Sequence, residues 1–211
     1  MDLRSLHHVV VLCHPERGES FNRSVAETYC DTVEQCGQRA TLRDLYGMNF
    51  DPVLRGYEQP VANDSRISPH VEAEMNIIRD CAALTLVYPI WFGTPPAMMK
   101  GYMERVLGAG ITPRAVENRE QSGLSSATLV SITTSANRGA WLAEQGQQSA
   151  LERLVDAYIA HAFSMRGHEH LHFGSIVPDL GKRFVDEHLA EVRARTRKIC
   201  AGLASTARTT G

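Results

Sequence analysis

The segment from Leu84 to Leu107 reads LTLVYPIWFGTPPAMMKGYMERVL, and it constrains the fold most because it joins a strand, a loop and a helix. Residues 83–88 form a short apolar run of a length suited to a strand buried on both faces. Pro89 lacks a backbone donor and ends the pairing. Pro95 and Pro96 suit the first turn of the helix that follows. A strand that leads through a short loop into a helix is typical of a parallel α/β sheet.

The same alternation of strand and helix repeats along the chain. Strands are predicted at residues 9–13, 39–45, 83–88, 127–132 and 171–176. Helices are predicted between and after them, at residues 25–33, 69–81, 95–107, 141–165 and 181–203. Residues 46–68 are polar and rich in turn residues, and they predict a long surface connection. We therefore expect a single α/β domain over residues 1–211, with a doubly wound, five-stranded parallel sheet and helices on both faces.

Composition excludes several classes of partner. The formal net charge is −2 and the pI is near 6.5, which gives no basic surface for nucleic acid. The five cysteines form no metal-binding spacing, and their odd number argues against a complete disulfide framework, so a reduced, intracellular protein is expected. The apolar stretch at the amino terminus is too short to span a membrane and has no cleavage site. We expect a cytoplasmic protein with no membrane span.

Three loops of the predicted sheet have complementary chemistry. The loops after the first, third and fourth strands of such a sheet lie along one edge. Residues 14–22 offer hydroxyl and amide groups and the amino end of a helix, which suit a phosphate. Residues 89–93 offer aromatic and backbone surface, and residues 133–138 offer hydrogen-bonding groups for the polar edge of a flat heterocycle. A phosphorylated aromatic cofactor fits all three loops.

Four segments resemble the bacterial branch of the NAD(P)H:quinone oxidoreductases with a flavodoxin-like fold. They are HPERGESFN at residues 14–22, RDLYGMNFDPVL at 43–54, YPIWFGTPPAMMKGYMERVL at 88–107 and SITT at 131–134. The resemblance implies a flavodoxin-like sheet of order 2-1-3-4-5. It also implies an enzyme that takes hydride from NAD(P)H on a bound flavin and passes two electrons to a quinone or similar acceptor by ping-pong kinetics. The residues do not decide between FMN and FAD, or between NADH and NADPH.

The resemblance also assigns residues to parts of the flavin. The phosphate or pyrophosphate would be held by His14, Ser20, Phe21 and Asn22. The isoalloxazine would be flanked by Pro89, Ile90, Trp91, Phe92 and Gly93. The pyrimidine edge would be bonded by Thr133, Thr134 and Ser135. These residues form the predicted cofactor site.

Two catalytic positions of the resembling family carry other residues in this chain. Animal members have a Tyr and a His after the Thr pair, and counting forward places Trp141 and Gln147 there. Neither replacement can relay a proton, although Trp141 can donate through its indole and stack on a ring. The catalytic set implied for this chain is therefore Trp91, Phe92, Trp141 and Gln147. The resemblance further implies a homodimer in which residues 142–163 contribute to the contact.

Three histidines suggest a metal site that the sequence does not complete. His168, His170 and His172 alternate along a strand, which places all three on one face. Glu169 points the other way, and no nearby Cys or Asp completes a zinc site. The sequence therefore favours imidazoles at a sheet edge or a dimer surface, without a metal.

Two other functions use the same residues. A flavin-binding regulatory or ancillary subunit would tolerate the missing Tyr and His, because it needs little turnover. A flavodoxin-type electron carrier is the weaker alternative, since such carriers are usually strongly acidic and this chain is nearly neutral. The oxidoreductase remains the first hypothesis.

Overall fold

Five parallel strands form one sheet in the order β2-β1-β3-β4-β5. The structure, a computed structural model, describes residues 2–16, 18–59, 65–109, 116–118 and 122–209. Its strands are β1 His7–Leu12, β2 Arg39–Asp44, β3 Ala83–Pro89, β4 Thr128–Thr134 and β5 Gly167–Phe173. The predicted fold class and strand order are confirmed.

Seven α-helices lie wholly within the described ranges. They are α1 Phe21–Gln35, α2 Pro69–Ile78, α3 Ala97–Tyr102, α4 Gly139–Glu144, α5 Gln147–Leu151, α6 Tyr158–Ala162 and α7 Lys182–Thr209. Met103–Leu107 extends α3 as a π-helix, and Glu152–Ala157 joins α5 to α6 in the same way. Short 3₁₀ turns lie at Leu3–Ser5 and Gly56–Glu58. No helix in these described ranges combines the length and apolar character that a membrane span requires.

Alternate residues of β1, β3 and β4 contribute to two separate cores, one on each face of the sheet. Val9, Leu84 and Leu129 are buried on the face covered by α2, α3 and α6. Val10 and Ile132 are buried on the opposite face, which α1 and α7 cover. Burial on both faces explains why β1 and β3 read as continuous apolar runs instead of alternating patterns.

β4 continues beyond its predicted end. The sequence predicts a strand over residues 127–132, but Thr133 and Thr134 continue the ladder by pairing with Tyr88 and Pro89 of β3. The same two threonines pair with β5 on the other side. A central strand with partners on both sides retains polar residues that sequence patterns assign to a loop. The two threonines therefore belong to the strand and point to opposite faces of the sheet.

The bounds predicted for the last strand and for the helix before it are wrong. β5 occupies Gly167–Phe173 instead of residues 171–176, because its histidines find hydrogen-bond partners at the sheet surface. The helix predicted over residues 141–165 is interrupted after α4, where Gly146 adopts a left-handed conformation with φ of 69°. The break leaves a short loop between α4 and α5.

The connection over residues 46–68 is fastened to the core instead of lying on the surface throughout. The Arg105 side chain is 1% exposed and donates to both carboxylate oxygens of Glu58, at 2.9 and 2.7 Å. Phe50 is also buried, with its ring centroid 5.3 Å from that of Tyr102. Residues 60–64 of the connection lie outside the described ranges. Because a buried charge must be paired, this ion pair holds the connection against the π-helical extension of α3.

Candidate active site

A cavity of about 490 Å³ opens at the carboxyl edge of the sheet, between the loops that follow β1, β3 and β4. Twelve of the residues predicted for cofactor binding or catalysis line it: His14, Phe21, Asn22, Pro89, Ile90, Trp91, Phe92, Gly93, Thr134, Ser135, Trp141 and Gln147. Ser20 and Thr133 are not among the lining residues. The cavity lies where ligands bind in open parallel sheets.

The first loop ends at Ser20, which begins α1. Its hydroxyl oxygen accepts a hydrogen bond from the backbone N–H of Arg23 at 3.2 Å, so this side chain caps the helix instead of facing the cavity. Other N–H groups of the first helical turn have no partner within the helix. The positive end of the helix dipole and these donors form a favourable position for an anion.

Asn22 carries an unused donor at the cavity wall. Its Oδ1 accepts a hydrogen bond from the Thr134 hydroxyl at 2.8 Å, which ties α1 to the end of β4. Its Nδ2 is buried and has no hydrogen-bond partner in the described part of the chain. Leaving a buried amide donor unpaired costs about 1–3 kcal/mol. Asn22 therefore presents a donor suited to a ligand acceptor.

The second loop is a tight turn that displays aromatic residues. The backbone N–H of Trp91 donates to the Thr94 carbonyl and the Thr94 N–H donates to the Trp91 carbonyl, both at 3.1 Å. Phe92 and Gly93 between them have φ angles of 50° and 77°, as a type I′ turn requires. Phe92 is fully exposed despite its size, and a left-handed non-glycine residue indicates a functional constraint.

Aromatic rings of the first and second loops lie close together. The His14 ring centroid is 6.4 Å from that of Trp91, with the two planes tilted by 52°. Burial lowers the pKa of His14, which favours the neutral imidazole. Phe21 packs edge-on against Phe173, at 5.8 Å between centroids. The cavity wall is thus apolar at its sides and polar near Asn22.

The third loop presents its hydroxyl groups in two directions. Thr134 and Ser135 line the cavity, whereas the Thr133 hydroxyl faces β5. Gly174 holds this loop in place, because a Cβ added there would lie 2.5 Å from the Gly139 nitrogen and 2.9 Å from the Asn137 oxygen. The loop therefore depends on the absence of a side chain at the end of β5.

A continuous chain of hydrogen bonds leads from Ser135 to a buried carboxylate. His172 contacts the Ser135 hydroxyl at 3.1 Å and the Thr133 hydroxyl at 2.9 Å. His170 contacts Thr133 at 2.9 Å and Asp156 at 2.5 Å. The sequence did not predict a carboxylate partner for these histidines, whereas α5 and its π-helical continuation bring Asp156 onto the sheet beside His170. No sequence signal marks this contact.

A metal-binding cluster is not present among the described histidines, cysteines and carboxylates. His168, His170 and His172 do share one face of β5, opposite Leu129, Ser131 and Thr133 of β4. His168 lies apart from the hydrogen-bonded chain, with its Nε2 atom 3.7 Å from Glu152. The three imidazoles therefore have different partners although they share a face.

A family model described as the flavodoxin-like fold matches residues 7–198. This chain belongs to the flavodoxin-like fold family. An uncharacterized NAD(P)H oxidoreductase of Haemophilus influenzae is 36% identical over 119 residues, which is 56% of this chain and 58% of that protein. NAD(P)H dehydrogenase [quinone] 1 of Rattus norvegicus is 30% identical over 145 residues, which is 60% of this chain and 52% of that protein. The resemblance found in the motifs is confirmed, and the chain spans about half the length of these curated relatives.

Solved structures share the same fold. An NAD(P)H:quinone oxidoreductase from Methanothermobacter marburgensis superposes with a TM-score of 0.78 and 22% identity, covering 92% of this chain and 96% of that one. An FMN-dependent NADH-azoreductase from Bacillus anthracis, solved in complex with FMN, gives 0.66 and 12% identity, covering 92% and 99%. At these identities the likeness is one of fold.

Proposed function

We propose that this chain is a flavin-dependent NAD(P)H oxidoreductase that transfers two electrons, as hydride, from NAD(P)H to quinones or similar acceptors. The observation that carries the proposal is the cavity at the carboxyl edge of the sheet, in which a helix amino terminus, two tryptophans and polar groups converge. Relatives named as NAD(P)H oxidoreductases support the donor and the acceptor class. The flavin is FMN or FAD, held by one domain.

The phosphate end of the flavin fits the start of α1. The first-turn amides supply donors and partial positive charge, and the unpaired Nδ2 of Asn22 adds a donor at the cavity wall. A ligand acceptor there would satisfy a group that the protein leaves without a partner. His14 and Phe21 also line the cavity and would adjoin the phosphate end of the flavin.

The flat ring of the flavin fits the turn after β3. Trp91 and Trp141 are 42% and 45% exposed, and both line the cavity, so each has a free face for a ring. The backbone N–H groups of Phe92 and Gly93 make no backbone hydrogen bond within the described ranges, which leaves them available to a ligand. Ser135 and Thr134 supply hydroxyl groups opposite this turn.

The protein's contribution to catalysis is positioning and electrostatics. A bound flavin supplies the hydride chemistry, since no side chain of the cavity accepts a hydride. Trp91, Phe92 and Trp141 form an apolar, exposed wall on which a nicotinamide and then a quinone would stack in turn. Because both substrates would occupy the same position in turn, ping-pong kinetics are expected.

A second copy of the chain is the proposed occupant of an apolar groove beside the cavity. The groove has a volume of about 810 Å³ and shares Gly93 and Gln147 with the cavity. Leu154 and Tyr158 are 76% and 59% exposed in it, within the segment that the sequence assigns to the dimer contact. Exposed apolar surface of this extent favours a partner. Burial by a second copy would also close one side of the cavity.

The dimer is tested by its mass in solution. We expect wild-type protein to sediment as a dimer in analytical ultracentrifugation and Leu154→Glu to sediment as a monomer. Val53→Glu is the matched control, because Val53 is 53% exposed and lies outside the groove. A monomeric wild type would remove this part of the proposal.

The activity is tested by visible spectroscopy of the purified protein. Anaerobic addition of NADH or NADPH should bleach the flavin absorbance, and menadione should restore it. Chromatography of the released cofactor then distinguishes FMN from FAD. A flavin spectrum that neither nucleotide bleaches would instead favour the regulatory subunit, which the replacement of the family's Tyr and His by Trp141 and Gln147 would permit. The five unpaired cysteines are in keeping with a cytoplasmic location in this proposal.

A further inference from the structure

The hydrogen-bonded chain from Ser135 to Asp156 has an acceptor at each end. The Ser135 hydroxyl donates to the backbone carbonyl of Asn137 at 3.0 Å, and a carbonyl can only accept. At the other end, Asp156 is fully buried and accepts a hydrogen bond from Ser131 at 2.6 Å. Its second oxygen contacts Nδ1 of His170 at 2.5 Å. Every proton between these two ends can therefore be assigned.

The assignment leaves the chain with one proton more than two neutral imidazoles and an ionised Asp156 would carry. Since Ser135 donates to Asn137, it accepts from Nε2–H of His172. Nδ1 of His172 is then an acceptor, so the Thr133 hydroxyl donates to it and accepts from Nε2–H of His170. One further proton lies between Nδ1 of His170 and the Asp156 carboxyl group, and we place it on His170, because the hydrogen bond of an imidazolium to a carboxylate is charge-assisted.

The surroundings agree with this assignment. The pKa of His172 is lowered to about 4 by burial and by the charge of His170, so His172 is neutral near pH 7. The other polar groups facing the pair are Ser131 and Tyr88. Burial first, and then the charge of Asp156, raises the pKa of Tyr88, so this phenol stays neutral.

The reaction of the proposed function consumes one proton. NAD(P)H, a quinone and one proton give NAD(P)⁺ and a hydroquinone, since hydride carries two electrons and only one of the two hydrogens. The family's Tyr and His are absent, and neither Trp141 nor Gln147 can supply that proton. Ser135 lies in the cavity wall and at the end of the chain.

We propose that the chain Asp156–His170–Thr133–His172–Ser135 stores the proton that quinone reduction consumes and delivers it to the cavity through Ser135. The inference rests on the proposed function. The Ser135 hydroxyl turns from Asn137 and gives its proton to the developing oxyanion of the quinone, where an O–H bond forms. Ser135 takes the Nε2 proton of His172, His172 takes the Thr133 proton, and Thr133 takes the Nε2 proton of His170. Water in the cavity restores the chain by the reverse shift.

The first test needs neither flavin nor a variant. Long-range ¹H–¹⁵N NMR of the ring nitrogens distinguishes an imidazolium from each neutral tautomer. At pH 7 we expect His170 to be protonated on both nitrogens and His172 to be protonated on Nε2 alone. A neutral His170 with an unprotonated nitrogen toward Thr133 would overturn the stored proton.

The second test separates the two half-reactions by rapid mixing. Asp156→Asn keeps the shape of the side chain but removes the anion that holds the proton, and His172→Gln keeps a hydrogen-bonding group that cannot relay. We expect each to slow reoxidation by menadione by about 10²-fold, the usual scale of general acid catalysis. The effect on reduction by NAD(P)H should be much smaller, and the solvent deuterium isotope effect on reoxidation should disappear. His168→Gln is the matched control on the same face of β5 and should change neither step.

The outcomes separate this inference from the proposed function. Wild-type protein whose bound flavin is not reduced by NAD(P)H would overturn both. Normal reduction together with unchanged menadione reoxidation and isotope effect in both variants would overturn the relay alone. Urea unfolding and flavin affinity of each variant establish that a slow step is not caused by a misfolded chain. The NMR test uses wild-type protein, so its result does not depend on whether a variant folds.

Discussion

Two buried histidine side chains on different strands of the sheet have different partners. At the amino end of β1, His8 contacts the Tyr29 hydroxyl at 3.0 Å and the Gln38 amide oxygen at 2.8 Å. In the middle of β5, the His170 side chain contacts the Asp156 side chain. Burial lowers the pKa of His8, and both of its partners are uncharged. The same residue type therefore joins core elements through neutral partners in β1 and contacts a buried carboxyl group in β5.

The two histidines differ in what their hydrogen bonds connect. His8 joins β1 to α1, and Gln38 continues the contact by donating to the Cys200 carbonyl of α7 at 2.8 Å. These bonds are satisfied within the protein and reach no cavity. His170 belongs to a chain of bonds that ends in the wall of the cavity. A buried histidine is thus informative about function only when its partners are known.

The largest expected effect is the loss of stability in His8→Ala. The substitution removes a buried ring and leaves the Gln38 and Tyr29 groups without a partner, so the free energy of unfolding should fall by about 3 kcal/mol. Flavin affinity of the folded protein should be unchanged. Urea denaturation measures the first quantity, with His168→Ala as a partly exposed control. A loss below about 1 kcal/mol would contradict the structural role of His8.

Two glycines at the ends of β5 give the next contrast. Gly174→Ala would force the loop of Asn137 and Gly139 outward, and we expect a loss of about 1–3 kcal/mol in stability with weaker flavin binding. Gly167→Ala is the control, because no atom lies within 4 Å of its added Cβ. Flavin titration and urea unfolding of both variants decide the point. Equal affinities would show that this loop does not shape the site.

Stability should fall as the pH is lowered from 6.5 to 4. The pKa of His7 and that of His172 are lowered to about 4, so the unfolded chain binds more protons than the folded chain in this window. Each histidine contributes a slope of up to about 1.4 kcal/mol per pH unit. His7→Gln should reduce the slope of stability against pH by the contribution of one histidine. Stability that stays flat over this window would contradict the depressed pKa values.

The smallest expected effect comes from Phe92→Gly. Phe92 has a left-handed backbone and a fully exposed side chain, so glycine should relieve strain and raise the stability of the flavin-free protein by roughly 0.5–1 kcal/mol. Flavin affinity should fall, because the ring is lost from the cavity wall. Thermal unfolding with and without flavin separates the two effects. A loss of stability without flavin would show that Phe92 serves the fold.

The fold and most of the cavity could be predicted from local sequence. Periodicity predicted all five strands, and three loop motifs predicted the residues that the sheet order brings to one edge. The sequence assigns Thr133 and Thr134 to one loop and one role, because successive loop residues need not point to opposite sides. In the structure both belong to β4, which turns their side chains to opposite faces of the sheet. Asp156 could not be predicted as a partner of His170, since their contact depends on how a π-helical segment packs on the sheet.

Flavin binding in the cavity is tested most directly by tryptophan fluorescence. The chain contains two tryptophans, Trp91 and Trp141, and both line the cavity. Titration of flavin-free protein with FMN or FAD should therefore quench most of the tryptophan emission, and Trp91→Ala should weaken binding by about tenfold, as expected for a lost stacking contact. Absence of binding, or binding that leaves the emission of both tryptophans unchanged, would contradict the site.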